Sequence, residues 1–380
     1  MKNLSNIQIF YKDIFAGFAG LSSRTGGAIF IYSDQWLKEG FDISPFAMPL
    51  SEKNRIFVTK NTHPTGMFGV FTESLPGRWG EYLHKKFLGQ MGIDYNSMNM
   101  LDKLVLVGSK GCGALKYKPE TMVDAEVENL SLDDMYREIS ALSSSGTSDA
   151  IGTLYMKGGN TGGSVPKIIE EIDGQPWIIK IPVRPEDYEK GLMEYEYMSC
   201  AKKCGINVPE IKLIETPEGN CCFGIKRFDR LKAEDGSLME QHIISAAAVL
   251  EKDWRDPGND YHDLMKVALA ITKDNRADIE DLFRRMCFNV FAANNNDNLK
   301  KFAFMYCEKE KGWRLAPAYG LRASTASKGA RMLTVNGNGM IPTAEDLAAA
   351  GGRVGINKAD CSRIIEEVET IVKENLKKYV

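Results

Sequence analysis

Residues 288–321 read FNVFAANNNDNLKKFAFMYCEKEKGWRLAPAYGL, and this stretch decides the fold. An amphipathic run at its start ends in a polar loop that is rich in asparagine. Residues 302–306 then form a short apolar strand, and a turn at residues 308–312 leads to a second strand at residues 313–316. The pattern therefore predicts a helix, a polar loop and a hairpin in that order.

A glycine-rich turn lies upstream, where residues 158–168 read GGNTGGSVPKI. Glycines let backbone N–H groups approach phosphate oxygens without a clash at Cβ, and loops of this kind hold nucleotides. Gly162, Gly163 and Ser164 are therefore candidate phosphate-binding residues. Glycine-rich loops are common, so the elements that follow the turn decide the interpretation.

A strand and a helix follow the turn, and each carries a charged side chain. The predicted strand at residues 177–181 contains Lys180, and the predicted helix at residues 192–204 carries Glu194. A strand lysine that reaches nucleotide phosphates and a helix glutamate that orients it are typical of the N-lobe of protein kinases. A surface lysine and a solvated glutamate are the alternative. The order of the elements favours a kinase fold, in which the helix, polar loop and hairpin of the C-lobe present the catalytic residues.

The composition is that of an ordinary globular protein. It argues against nucleic-acid binding through overall charge, against a membrane span and against a zinc site. With 380 residues, two folding units or one large two-lobed unit are expected. A net charge of −3 and a pI near 6.0 argue against direct nucleic-acid binding through overall charge. Neither a signal sequence nor a long apolar window occurs, so we expect a cytoplasmic protein without membrane contact. The eight cysteines form no C-x-x-C pair and the four histidines show no zinc spacing, which predicts reduced thiols.

The asparagine-rich loop and the hairpin resemble those of the HipA-like Ser/Thr protein kinases. In that family a helix is followed by N-T-D-D-H-x-K-N-F and, after a hairpin, by L-x-P-x-Y-D. This chain reads NNNDNLKKF at residues 294–302 and LAPAYG at residues 315–320. The resemblance aligns the family's catalytic Asp, its His and its two magnesium ligands, in that order, with Asn296, Asn298, Lys301 and Gly320.

Further segments carry the resemblance beyond the kinase core. Three of them resemble the family's N-terminal region, and these are residues 26–50, 71–88 and 104–120. Gly77 stands where the family usually has Asp. In the family's S-x-G-G-x-x-P-K loop, Lys167 matches the last lysine, and Asn160 replaces a Ser that is a regulatory autophosphorylation site.

Residues 227–230, which read RFDR, resemble the family's hinge between the lobes. The resemblance implies that the backbone around Lys226 and Phe228 meets the adenine ring. His242, followed by Ser245, resembles the H-x-x-S segment that opens the C-lobe, and we interpret this His as structural.

The resemblance implies an α+β, bilobal, protein-kinase-like fold preceded by a β-rich N-terminal subdomain. The expected domains are the N-terminal subdomain at residues 1–120, the kinase N-lobe with its linker at residues 121–230 and a helical C-lobe at residues 231–380. It further implies ATP as cofactor, with Mg²⁺ as the metal of the family, and a protein substrate phosphorylated on Ser or Thr. The implied partner is the DNA-binding antitoxin of a toxin–antitoxin pair.

The replaced residues change the expected chemistry. Asn296 cannot take up a proton at neutral pH, and loss of a general base typically costs about 10²- to 10⁴-fold in rate. An ammonium group at Lys301 repels Mg²⁺, which prefers oxygen ligands. The loss of two Asp and the gain of one Lys make the site more cationic by three charges. Cations at Lys180 and Lys301 could neutralise ATP phosphates without a metal.

We therefore expect a pseudokinase that binds nucleotide weakly or without a metal requirement. The alternative is an active Ser/Thr kinase toxin in which Asp297, one residue along in a shifted loop, serves as the base. Asn296, Asp297 and Asn298 are thus the candidate catalytic residues, and no residue is a candidate metal ligand.

Apolar spacing and capping residues predict the remaining elements. Helices are expected at residues 79–88, 261–271, 279–293 and 361–376, and strands at residues 7–10, 27–32 and 56–58. Ser131 with Asp134 predicts a capping box for a helix through Leu142, and Thr343 predicts an N-cap. A small-residue loop is expected at residues 143–147.

Overall fold

The computed structural model describes residues 4–22, 26–50, 55–59, 66–121, 123–256, 258–324 and 330–380. The chain forms two compact units. Unit 1 consists of Met1–Gly191, Lys212–Ile243 and Ala248–Glu251, and unit 2 consists of Leu192–Ile211, Ile244–Ala247 and Lys252–Val380.

Unit 1 begins with a five-stranded antiparallel sheet in the order β4-β3-β2-β1-β5. Its strands are β1 (Asn6–Tyr11), β2 (Ile14–Leu21), β3 (Ala28–Tyr32), β4 (Ile56–Val58) and β5 (Leu115–Lys118). Along β1 the side chains of Ile7, Ile9 and Tyr11 are buried, while Asn6 and Gln8 are exposed. This alternation is typical of an antiparallel sheet with one face on the core.

The helices of unit 1 are α1 (Asp34–Glu39), α2 (Gly69–Thr72), α3 (Arg78–Gln90), α4 (Met100–Val107), α5 (Leu132–Ser145) and α6 (Ile151–Gly158). A second sheet has the order β6-β7-β9-β8, with β6 (Lys167–Ile172), β7 (Gln175–Lys180), β8 (Ile211–Glu215) and β9 (Cys221–Lys226). A hairpin of β10 (Arg230–Lys232) and β11 (Leu238–Glu240) follows. The helix α7 (Pro185–Lys203) runs from unit 1 into unit 2.

A single apolar cluster joins α3, α5, α6 and the second sheet. Leu83 and Phe87 of α3 pack with Leu154 and Tyr155 of α6, and the rings of Phe87 and Tyr155 stack at 4.4 Å between centroids. Trp177 of β7 belongs to the same cluster. The cluster fixes both ends of the glycine-rich turn, because α6 ends at the turn and β6 begins after it.

Unit 2 is mainly helical. The strand β12 (Ile243–Ser245) and the helix α8 (Ala246–Val249) each have residues in both units. The helices within unit 2 are α9 (Tyr261–Ile271), α10 (Arg276–Phe291), α11 (Ala344–Arg353) and α12 (Lys358–Asn375), and its strands are β13 (Asn259–Asp260), β14 (Ala303–Cys307), β15 (Gly312–Leu315) and β16 (Leu333–Thr334). The helix α10 packs against α12. The asparagine-rich loop follows α10, and β14 and β15 form the predicted hairpin after it.

Several predicted elements are confirmed. The bounds of α9 are those predicted, and Ser131 and Thr343 both form capping boxes, with Asp134 and Asp346 respectively.

The eight cysteines form no disulfide bond in the structure. None of the helices in the described ranges combines the length and the apolar character that a membrane crossing requires.

Among the helices that differ from the prediction are α5, α6 and α7. The sequence analysis missed α6, which has only eight residues and whose N-cap, Ala150, makes no side-chain hydrogen bond. The helix α7 begins at Pro185 rather than at residue 192, with a proline in the first turn, where its missing N–H costs nothing. The helix α5 continues through Ser145 into the predicted loop and ends at Gly146, which has a left-handed φ of +77°.

His242 is a buried structural residue. Its side chain is 1% exposed, and its Nε2 donates a hydrogen bond to the carbonyl oxygen of Ile43 at 2.8 Å. The ring packs against Phe41 and Tyr11. Burial lowers the pKa of His242 to about 4, and burial also lowers the pKa of His84 to about 4.

Replacing His242 with Gln should make the free energy of unfolding less sensitive to acid. A His titrates near pH 6.5 in the unfolded chain, so the unfolded state binds more protons and stability falls as the pH drops from 6.5 towards 4. One such His contributes a loss of about 2 to 3 kcal/mol between pH 7 and pH 4.5. Urea unfolding at both pH values measures the loss, and an equal loss in the wild type and in His242→Gln would contradict the expectation. The contribution of His84 remains in both proteins.

Candidate functional site

The glycine-rich turn lies in unit 1 between α6 and β6. Gly163 has a φ of +80°, a left-handed conformation that glycine adopts without a Cβ penalty. The Nζ of Lys167 donates a hydrogen bond to the carbonyl oxygen of Gly162 at 2.7 Å. Gly162, Gly163 and Ser164 are exposed, so this turn presents its backbone to solvent.

The two predicted lysines lie next to this turn. Lys167 on β6 is directly opposite Lys180 on β7, so both side chains leave the same face of the sheet. The Nζ of Lys180 lies 5.3 Å from the centroid of the Phe223 ring. Unit 1 therefore brings together the predicted phosphate loop and both predicted lysines.

The other candidate nucleotide residues lie on α7 and at the end of β9. Glu194 is buried on α7 in the part of that helix that belongs to unit 2. Lys226 ends β9 opposite Trp177 of β7, and Phe228 follows it. The predicted adenine segment thus continues the sheet that carries Lys180.

The charged residues of the RFDR segment form a buried ionic cluster in unit 1. The guanidinium of Arg227 donates to both carboxylate oxygens of Asp229, and the backbone N–H of Gly113 donates to the same carboxylate at 3.0 Å. Burial acts to raise the pKa of Asp229, but the charge of Arg227 prevails and lowers it to about 2. Arg230 donates to the carbonyl oxygen of Ser109 at 2.6 Å. These charges therefore hold residues 109–113 in place.

The asparagine-rich loop in unit 2 is held by its own amide groups. The Nδ2 of Asn298 donates to the side-chain oxygen of Asn296 at 3.2 Å, and the backbone N–H of Asn296 donates to Ser324 Oγ at 2.8 Å. The Oδ1 of Asn298 accepts from the backbone N–H of Lys300 and caps a short 3₁₀ turn, Leu299–Lys301. The amide of Asn296, which the resemblance aligns with the family's catalytic Asp, thus forms a hydrogen bond within the loop.

Asp297 is fully buried, and its carboxylate is paired. The Nη2 of Arg331 lies 2.6 Å from Oδ2 of Asp297, and the hydroxyl of Tyr261 donates to the same oxygen at 2.7 Å. Arg331 also donates to the side chain of Asn295 and to the carbonyl oxygen of Asn294. The one carboxylate of this loop therefore lies inside unit 2, where it neutralises a buried arginine.

The two residues that the resemblance aligns with the family's magnesium ligands are joined to each other. The Nζ of Lys301 donates to the carbonyl oxygen of Gly320 at 3.1 Å, and Gly320 has a left-handed φ of +66°. An ammonium group and a residue without a side chain offer no carboxylate, so these residues do not fit Mg²⁺. In the described part of the chain, no group of three or more His, Cys, Asp or Glu side chains could hold a metal ion.

Sequence reasoning missed Tyr261 and Arg331. Tyr261 begins α9 and was assigned only to an apolar helix face, and Arg331 follows the hairpin by many residues without a recognisable motif. Both become visible only when the fold places them against Asp297.

Family models match both an N-terminal and a C-terminal region of the chain. Residues 7–118 match the family model described as the HipA N-terminal domain, and residues 159–375, more than half of the chain, match the HipA-like C-terminal domain. Among solved structures, the HipA, HipB and operator DNA complex of the Shewanella oneidensis toxin–antitoxin system contains a chain that superposes with a TM-score of 0.73 at 15% identity. The match covers 98% of this chain and 90% of the other. The predicted α+β, bilobal, kinase-like fold is thereby confirmed.

Two curated relatives match part of the chain. A Sinorhizobium fredii protein named "Putative kinase Y4dM" is 29% identical over 161 residues, which are 39% of this chain and 37% of the relative. A Haemophilus influenzae protein named "Putative kinase" is 31% identical over 147 residues, 36% of this chain and 42% of the relative. The matched parts thus span about two fifths of the length of these relatives.

The HipA N-terminal and C-terminal matches follow one another along the chain in the order that the sequence motifs predict. The chain therefore belongs to the HipA-like family of kinase-fold proteins.

Proposed function

We propose that this HipA-like protein is a pseudokinase that binds ATP without requiring a metal ion. The observation that carries the proposal is the hydrogen bond from Lys301 Nζ to the carbonyl oxygen of Gly320. These are the two positions at which the family resemblance places magnesium ligands. A fixed ammonium group takes the place of a diffusible cation there.

The side chains beside the glycine-rich turn also support the proposal of ATP binding. In unit 1, Lys167 and Lys180 leave one face of the sheet beside the glycine-rich turn. Hydrogen bonds from ammonium groups to phosphate oxygens are charge-assisted and stronger than those between neutral groups. We propose that Gly162, Gly163, Ser164 and the two lysines bind the phosphates and that Lys226 and Phe228 meet the adenine.

The environment of Asp297 weighs against the alternative, an active Ser/Thr kinase toxin. To act as a base on a protein substrate, the carboxylate would have to leave Arg331 and Tyr261. Breaking a buried ion pair and leaving one charge unpaired costs about 3 to 5 kcal/mol. Asn296 and Asn298 offer no other base, because an amide does not accept a proton at neutral pH.

We further propose a DNA-binding antitoxin as the partner and the cytoplasm as the location. The Shewanella oneidensis complex joins a HipA chain to HipB and operator DNA. The net charge of −3 favours contact with DNA through a partner rather than through this chain.

ATP should bind equally well with Mg²⁺ and with EDTA, within about threefold, and no phosphate should be transferred. Isothermal titration calorimetry under both conditions measures binding. Transfer of γ-phosphate to a generic Ser/Thr substrate and to the protein itself measures activity. Binding that needs Mg²⁺ would refute the metal-free site, and phosphate transfer would refute the pseudokinase.

Two lysine variants test whether Lys301 itself contributes to ATP binding. Lys301→Met should weaken ATP binding in EDTA by about tenfold, because a charge-assisted hydrogen bond is lost. Lys300→Met removes the neighbouring, exposed lysine of the same 3₁₀ turn and is the matched control. Equal effects of the two variants would show that Lys301 acts only through the general charge of the surface.

Asp297→Asn should destabilise the protein by about 3 kcal/mol, because Arg331 is left buried without its counter-charge. Urea unfolding measures this loss. Asp263→Asn, at an exposed position in the first turn of α9, should cost less than about 1 kcal/mol. An Asp297→Asn protein that keeps its stability but loses a measurable transfer activity would favour the active kinase instead.

The purified chain alone should not bind a fluorescent DNA duplex of mixed sequence at about 0.15 M salt, because binding without sequence readout depends on cationic surface charge. Fluorescence anisotropy measures this directly. Micromolar binding by the chain alone would contradict the proposal that DNA is reached through a partner.

A further inference from the structure

The glycine-rich turn caps the helix α3. The backbone N–H of Gly77, the N-cap residue, donates to the carbonyl oxygen of Thr161 at 2.9 Å, and the N–H of Trp79 donates to the carbonyl oxygen of Gly163 at 3.2 Å. The first N–H groups of a helix lack partners within the helix and must find them elsewhere. No side chain caps α3 at Gly77, so the turn supplies the acceptors.

Gly77 makes this contact possible by its lack of a side chain. Its φ of −73° and ψ of −175° are ordinary extended values that any residue adopts. A Cβ at residue 77, however, would overlap the backbone nitrogen and oxygen of Gly163 and crowd the carbonyl carbon of Gly162. Glycine is therefore required here for space and not for backbone conformation.

The contact with α3 engages the carbonyl oxygens of the turn and thereby orients its N–H groups. Three successive carbonyl oxygens, those of Thr161, Gly162 and Gly163, accept from Gly77 N–H, Lys167 Nζ and Trp79 N–H. Across the described ranges of the chain, the N–H groups of Gly162, Gly163 and Ser164 meet no hydrogen-bond acceptor, and all three residues are exposed. Successive N–H groups around a left-handed residue form a concave site for an anion.

Neighbouring contacts hold the two ends of the turn. The indole Nε1 of Trp79 donates to the carbonyl oxygen of Lys167 at 2.9 Å, and the Oγ1 of Thr161 donates to the carbonyl oxygen of Gly158 at 2.7 Å. His84, also on α3, lies 3.3 Å from the side-chain oxygen of Asn160. Two side chains of α3 thus contact the residues on either side of the turn.

We infer that Gly77 is a positioning residue for phosphate binding. It lets the turn cap α3 through its carbonyl oxygens, and this capping aims the N–H groups of residues 162–164 at the phosphate chain of a nucleotide. The inference deepens the proposed function and rests on it for the identity of the anion. The capping itself is independent of any ligand.

Two substitutions separate positioning from stability. Gly77→Ala displaces the turn and leaves the first turn of α3 without acceptors. Gly77→Ser displaces the turn equally, but its hydroxyl can cap the helix from within. Gly89→Ala, on the same helix at a position where a Cβ meets nothing within 4 Å, is the matched control.

ATP and adenosine are titrated into each protein in EDTA. ATP affinity should fall about tenfold in both Gly77 variants, adenosine affinity should stay unchanged, and Gly89→Ala should change neither. Gly77→Ser should melt closer to the wild type than Gly77→Ala does, yet bind ATP no better. An unchanged ATP affinity, or a parallel loss of ATP and adenosine affinity, would overturn the inference, because a purely structural residue affects both ligands alike.

Amide hydrogen exchange without nucleotide tests the capping separately. Exchange in peptides covering residues 77–90 and 159–166 should be faster in Gly77→Ala than in the wild type or in Gly89→Ala. Unchanged exchange would overturn the capping. If the wild type binds neither ATP nor adenosine, the proposed function and the phosphate role of Gly77 fail together, while faster exchange would still support the capping.

Discussion

The ion pair between Asp297 and Arg331 is the interaction on which the asparagine-rich loop depends. Both side chains are buried, so neither charge is tolerable without the other. The hydroxyl of Tyr261 donates a second hydrogen bond to the carboxylate of Asp297. Arg331 also reaches the backbone of Asn294, so a single cation fixes the loop and neutralises its acid. The carboxylate of this loop therefore neutralises a buried cation in the interior of unit 2.

A second theme is the anchoring of ammonium groups by backbone carbonyl oxygens. The ammonium of Lys301 is held by the carbonyl oxygen of Gly320, and the ammonium of Lys167 is held by that of Gly162. A carbonyl oxygen orients an ammonium without cancelling its charge, whereas a carboxylate would cancel it. The two carbonyl oxygens thus hold these ammonium groups at defined places in their respective units.

Patterns that are local in sequence predicted their structures well. The capping boxes at Ser131 and Thr343 and the hairpin after the asparagine-rich loop depend on residues a few positions apart. The helix α6 escaped notice because it is short and has no capping side chain. At the candidate site, the sequence identified which residues are replaced, but it could not show that Lys301 meets Gly320 or that Asp297 meets Arg331. Those pairs are 19 and 34 residues apart, and only tertiary packing selects them.

The ionic cluster of the RFDR segment constrains how this protein can evolve by recombination. Asp229 lies in the region that matches the C-terminal family model, yet it takes a hydrogen bond from Gly113 in the region that matches the N-terminal one, and Arg230 likewise reaches Ser109. Residues 159–191, 212–243 and 248–251 of the C-terminal matched region lie in unit 1 together with the N-terminal matched region, so the two regions are not interchangeable modules. Recombination that joined one region to its counterpart from a distant relative would leave the buried charges of Asp229 and Arg230 without these backbone partners wherever residues 109–113 followed another path. Inheritance of the two regions as a single block is the arrangement that this chemistry favours.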